Sequence, residues 1–320
     1  MKQDSLKSYI SASLLTIVLC AAYCLTGGIL QFVAAMFISA LLGNVYYRHH
    51  YGYGILNSLM VLAVFSLFAG VMAAAMITVP LLLLGLSLAL GTRFKMKMSG
   101  LLLLCTMIYI ASLLVGFTIT EHVAGPDGNI TAIMLEVGRT MESALVSQYP
   151  EPELQEMIRQ VIRQAVDISI MLAPATFIVF SIVLSYCQII VFKKMQQKKG
   201  EDMAFLVPFE ALAGDKTIAV LAIVLFVLLT AAPAGMFASA GLNVLLVLGF
   251  IFMVLGMSVF DMKMKRRGMP RFRRRFFLIT LVVLSSMVIM LPVLFFTLWG
   301  LLDCFFDFRK LGADEEQSDE

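Results

Sequence analysis

Charge is what this sequence has least of. Asp, Glu, Lys and Arg make up 14% of its 320 residues, where a soluble domain carries about 25%. Between Gly54 and Gly91 there is no charged residue at all. Catalytic signatures are missing as well. No H-E-x-x-H, G-x-x-x-x-G-K-[ST] or G-x-S-x-G occurs, so zinc-peptidase, P-loop and α/β-hydrolase chemistry lack their residues. Histidine is rare, and His49 and His50 in "YYRHHYGY" have no carboxylate or cysteine near them in sequence. They read as polar anchors rather than metal ligands. Five cysteines show no ligand or redox spacing, and Cys20, Cys105 and Cys187 lie inside apolar runs as small buried hydrophobes would. The chain is therefore read as non-catalytic, with no metal and no cofactor.

What the sequence does have is long apolar runs. Hydrophobic residues make up 60% of it, and roughly 20 apolar residues span a bilayer. The runs are 9–25, 28–46, 54–74, 77–90, 100–120, 168–192, 218–233, 243–260 and 276–302. They predict an all-α, polytopic transmembrane helical bundle of about nine spans, or eight if two of them merge. The division between the third and fourth is placed at Thr78 and Pro80, because proline cannot continue helical bonding. Lys2 and Lys7 precede the first run, which is read as a retained span rather than a signal peptide.

The charges then sort by side. With the N-terminus inside and the spans alternating, Arg139, Arg159 and Arg163 are the basic residues of the outer loops. The other loops carry the rest of the 24 Lys and Arg up to Arg275, as the positive-inside rule requires. The run "DMKMKRRGMPRFRRRFF" (Asp261–Phe277) would suggest a nucleic-acid arm in a soluble protein. Between two spans it reads as a topology anchor instead, formed by Lys263, Lys265, Arg266, Arg267, Arg271, Arg273, Arg274 and Arg275. Moving one such residue to the bilayer centre costs about 2.5–3.5 kcal/mol. The partners expected are the lipid bilayer, other membrane proteins and a small-molecule ligand, and no nucleic acid.

The end of the chain is ambiguous. Phe276 to Phe308 exceeds one untilted span. One reading has a single span ending near Trp299, followed by an interfacial stretch; the other is a hairpin bent at Pro292 with arms of about 16 residues, short for a bilayer. The first is adopted. Four divisions follow: a membrane bundle (1–192) with an outer insertion (121–167), a cytoplasmic linker (193–216), C-terminal spans (217–308) and an acidic, disordered tail (309–320).

The insertion is expected to form an extracytoplasmic amphipathic helical pair. Ile133, Val137, Met141, Ala144 and Leu145 share one helical face. Leu154, Met157, Ile158, Val161, Ile162, Ala165 and Val166 share another, and the second helix should run on into the sixth span. Such a pair could lie on the membrane, act as a lid, or meet a partner.

No ionisable residue falls well inside a confident span, which argues against an ion-coupled carrier. Neutral polar residues do occur there, among them Gln31, Asn57, Thr78, Tyr109, Thr118, Thr176, Gln188 and Asn243. They either bond across helices or form a small polar ligand site.

The order of parts resembles the YybS-like family of bacterial membrane proteins. The resemblance rests on "LAPATFIVFSIVLSYCQIIVFKKM" (Leu172–Met195), "FLVPFEAL" (Phe205–Leu212), the "GMSVF" of the span beginning at Asn243, and "GLLDCFFDFRK" (Gly300–Lys310). The first six spans are similar to the substrate-binding S subunits of energy-coupling-factor transporters. That resemblance implies a six-helix bundle with both ends inside and a ligand near the outer face. It points to Gln31, Thr78, Thr118 and Thr176, with Tyr109 nearer mid-membrane, as ligand-binding residues. The expected function is a non-catalytic small-molecule- or lipid-binding transporter-type subunit in a bacterial inner membrane, N-terminus cytoplasmic. The alternative is a scaffolding protein of envelope assembly.

Overall fold

A computed structural model describes residues 2–49, 51–125, 129–231, 236–287 and 291–309. No strand occurs among them. The helices are α1 (Lys2–Leu25), α2 (Ile29–Arg48), α3 (Tyr51–Ala69), α4 (Val71–Arg93), α5 (Met98–Ala124), α6 (Ile130–Val146), α7 (Pro152–Gln197), α8 (Lys216–Ala231), α9 (Met236–Arg266), α10 (Arg271–Met287) and α11 (Leu291–Phe306). Seven of them, α1–α5, α7 and α9, are long and apolar enough to cross a membrane. α8 and α11 are apolar but only 16 residues each. The protein is an all-α polytopic bundle, as expected from the sequence. Large apolar side chains such as Leu14, Leu67 and Leu103 stand exposed along the spans, as they do where the solvent is hydrocarbon.

Two boundaries differ from expectation. α3 and α4 divide at Gly70, not at Thr78 and Pro80. Gly70 has φ +79°, a conformation that glycine adopts without a Cβ penalty, while Pro80 is accommodated inside α4. The run 276–302 is two helices rather than one span. α10 packs antiparallel on α9, through Phe260–Phe277 and Asp261–Arg274. α11 returns parallel to α9, through Gly249–Thr297 and Gly256–Gly300. The chain therefore follows the Pro292 hairpin, with arms of 17 and 16 residues. Each arm packs along the longer α9 and is shorter than the seven helices long enough to cross a membrane. Of the tail expected at 309–320, Arg309 is instead held by Asp303, Glu210, Leu212 and Ser258, and 310–320 lie outside the described residues.

The chain forms two compact units: Met1–Ile170 with Phe180–Leu206, and Met171–Val179 with Val207–Glu320. In the first, Cys20, Ile38, Leu42, Val61, Phe65, Ala74 and Leu81 from α1–α4 form a core. The small residues of α2 and α4 let their backbones approach closely: a Cβ on Gly85 would lie 2.8 Å from that of Leu42. One end of this unit gathers its basic residues. Arg93 bonds the Tyr46 carbonyl at 2.8 Å and the Tyr51 hydroxyl. Arg48 reaches Gln196 and Glu201, and Lys199 reaches Asn44 at 3.1 Å. Burial and then the nearby Arg48 lower the pKa of the Lys199 ammonium.

In the second unit, α7 carries a splice. Pro174 has no N–H to continue the helix ladder, and the next turn is completed by a side chain from α9. The Ala175 N–H donates to Asn243 Oδ1 at 2.9 Å, and Asn243 Nδ2 donates to the Met171 carbonyl at 2.8 Å. The asparagine amide thus stands between the two backbone groups that would otherwise bond each other.

Candidate functional site

The five residues expected to bind a ligand have different environments. Thr118 and Thr176 are exposed, and each hydroxyl donates to the carbonyl four residues back, Leu114 and Leu172. Gln31 is half-buried and donates to the Tyr23 carbonyl at 3.3 Å. The Tyr109 hydroxyl donates to Gln188 Oε1 at 2.9 Å, one turn from the Thr106–Ser185 bond. Both are cross-helix bonds of α5 with α7. Thr78 is buried, and its hydroxyl has no hydrogen-bond partner among the described residues. No bond joins these five to one another among the described residues.

A second set of buried polar residues lies on α1 and α3. These helices run parallel, with Tyr9 on Tyr53 (ring centroids 4.7 Å) and Tyr23 on Phe65 (5.2 Å). That register puts Ser13, one turn beyond Tyr9, level with Asn57, one turn beyond Tyr53. Asn57 is 0% exposed and Ser13 is also buried. Both amide atoms of Asn57, the Ser13 hydroxyl and the Tyr9 hydroxyl lack partners among the described residues. Leaving a buried polar group unpaired costs about 1–3 kcal/mol, so these four atoms, spread over about one helical turn, are candidates for contact with something polar. The sequence signal was an amide in a charge-free run; the pairing of levels required the fold.

The helical pair expected over 121–167 forms, as α6 and the start of α7. Asn129 caps α6 by accepting the Thr131 N–H at 2.9 Å, and α7 runs unbroken for 46 residues from Pro152. α6 meets α7 through Gly138 against Val166 and through the Glu142–Arg159 ion pair at 3.6 Å. The stripe of Ile133, Val137 and Met141 stays exposed and borders a groove of about 650 Å³.

The basic run of the second unit is more than a string of charges. Arg274 and Asp261 are buried together in an ion pair at 3.0 Å. Lys263 lies 4.9 Å over the Trp299 ring, and Lys265 pairs with Glu210 at 3.2 Å. Arg266 donates to the carbonyl of Arg309 at 2.8 Å. Arg309 itself bonds Asp303 Oδ2, the Glu210 and Leu212 carbonyls and the Ser258 hydroxyl. The "FLVPFEAL" and "GLLDCFFDFRK" stretches thus meet around one guanidinium. Sequence reasoning singled out both stretches but not Asp261, Asp303 or Arg309 as buried partners. Each lies at a span end, where charge is ordinarily solvated. Among the described residues no three His, Cys, Asp or Glu side chains come together as a metal site.

No curated protein and no solved structure matches the chain. Residues 14–303 match the model of one family, described as "Predicted membrane protein (DUF2232)". The match runs from the middle of α1 to Asp303, and the chain belongs to this family of predicted membrane proteins.

Proposed function

We propose that the protein is a non-catalytic binding subunit of the transporter type. It holds a small neutral molecule or a lipid in its first compact unit, with its N-terminus on the cytoplasmic side of a bacterial inner membrane. The observation that carries this reading is the buried Asn57 amide, which has no hydrogen-bond partner among the described residues, level with a Ser13 hydroxyl that likewise has none among them. A neutral occupant suits a level that carries amide and hydroxyl groups and, among the described residues, no ion pair. The finer likeness to YybS-like proteins and to S subunits rests on the order of spans, and the site lies nearer the basic end than the S-subunit likeness implies.

Native mass spectrometry of the detergent-purified protein tests the reading. The parent should carry a bound mass, and Asn57→Leu should reduce its occupancy about tenfold, as the loss of one or two hydrogen bonds would. The unliganded variant should also unfold at a higher temperature than the unliganded parent, because an unpaired amide has been removed. A parent without bound mass, or a variant that keeps it in full, would sink the proposal. Orientation is tested separately. In a chain lacking its five native cysteines, Met269→Cys should resist an impermeant thiol reagent in intact cells and react once they are opened. Labelling in intact cells would reverse the topology.

A second reading, a scaffold for envelope assembly, is favoured by the exposed Ile133–Val137–Met141 stripe. An empty bundle that co-purifies with a membrane partner would select it.

A further inference from the structure

We propose that the first two turns of α10 form a binding site for the headgroup and upper acyl chain of an anionic phospholipid. The basic run divides into two sets. Lys263, Lys265, Arg266 and Arg274 are engaged within the second unit, as described above. Arg267, Arg271 and Arg273 are exposed and Arg275 half-buried, and none has a carboxylate within 4 Å among the described residues.

Asp261 attracts Arg271 and Arg275, but its carboxylate is already paired with Arg274, so one acid faces three arginines. α10 opens with four arginines and no acid in its first turn, at the end of a helix where the macrodipole is positive and favours anions. Arg271 and Arg275 are also like charges four apart, an arrangement that destabilises a helix. An anion between them offsets both terms. Phosphate is the group that guanidinium forks bind best.

A second observation identifies the source of that phosphate. Phe272 and Phe276 are 80% and 63% exposed, and their rings stack at 6.3 Å between centroids. They stand one turn apart on a face adjoining Arg271 and Arg275. A free phosphate has no use for two exposed phenyl rings. A phospholipid does: the headgroup sits on the arginines and the acyl chain lies along the rings. Anionic lipid is held by each basic side chain near the membrane surface, so two arginines act together.

Lipid binding to the purified full-length protein, measured by native mass spectrometry with phosphatidylglycerol and phosphatidylcholine of matched chains, provides the test. The parent should prefer phosphatidylglycerol. Arg271→Gln with Arg275→Gln should weaken that binding about tenfold or more, whereas Arg271→Lys with Arg275→Lys should stay within a few-fold. Phe272→Ala with Phe276→Ala should weaken phosphatidylglycerol several-fold and leave inorganic phosphate unaffected. The charge-matched control, Lys95→Gln with Lys97→Gln, should change little. Equal affinity for the two lipids overturns the proposal. So does a control as impaired as the α10 double variant. If the phenylalanine variant binds phosphatidylglycerol like the parent, the site reads phosphate alone and the lipid assignment falls.

Discussion

Gly300→Ala is expected to abolish the packing of α11 on α9. A Cβ on Gly300 would fall well inside van der Waals contact of the Phe252 carbonyl oxygen, and one on Gly256 would meet the Phe296 carbonyl in the same way. The obstacle in both cases is backbone, so no rotamer change relieves it. The helices must move apart, and the interface that includes Phe252, Leu255 and Leu301 opens with them. Overpacking a tight core ordinarily costs 1–3 kcal/mol. Here the loss should be about 3 kcal/mol or more, because a whole helix pair is displaced rather than one side chain. Thermal unfolding in detergent, read by circular dichroism, checks this. Gly249→Ala serves as the control, since a Cβ there meets nothing within 4 Å. If Gly300→Ala melts with the parent, the close approach of the two helices is wrong.

Asn243→Leu should produce the second large loss. It keeps the volume and removes the amide that joins the Ala175 N–H to the Met171 carbonyl. Two backbone groups are then left without partners in an apolar setting, at about 1–3 kcal/mol each. The variant should be destabilised by roughly 2–6 kcal/mol. Pro174→Ala supplies the discriminating measurement. With proline gone, α7 can close its own ladder, so Asn243→Leu should cost markedly less in that background. Full additivity of the two changes would show that Asn243 acts elsewhere.

Much of the fold was legible in the sequence because the bilayer makes hydropathy informative. The spans of α1, α2, α5 and α9 and the continuity of the amphipathic 154–166 stretch with the rest of α7 follow from run length and a 3.6-residue stripe. The α10–α11 reversal was not legible in the same way. Residues 276–302 carry no charge, and hydropathy cannot distinguish a long span from two short arms that both lean on α9. Pro292 was the available sign, outweighed by the expectation that each arm must cross alone. Of the candidate sites, Thr118 and Thr176 could be recognised only as polar types. A threonine that bonds its own helix looks the same in sequence as one that waits for a ligand. Asn57, Ser13 and Asn243 differ from them through neighbours that are remote in the chain, and Asn243 meets α7 across 68 residues. Asp303 and Arg309 were visible in "GLLDCFFDFRK", but a charge at a span end carries no sign of whether it will be buried.

At 1.5 Å per residue, the 46 residues of α7 make a rod about 69 Å long. A helix of that length satisfies most of its backbone within itself, as an apolar surrounding requires. The exception is the turn at Pro174, where the proline has no N–H to offer and the Asn243 amide takes up the Ala175 N–H and the Met171 carbonyl. A side chain with only a donor or only an acceptor would serve one of those groups and strand the other. One amide, able to give and to accept, is what makes a proline tolerable in the middle of a 46-residue helix.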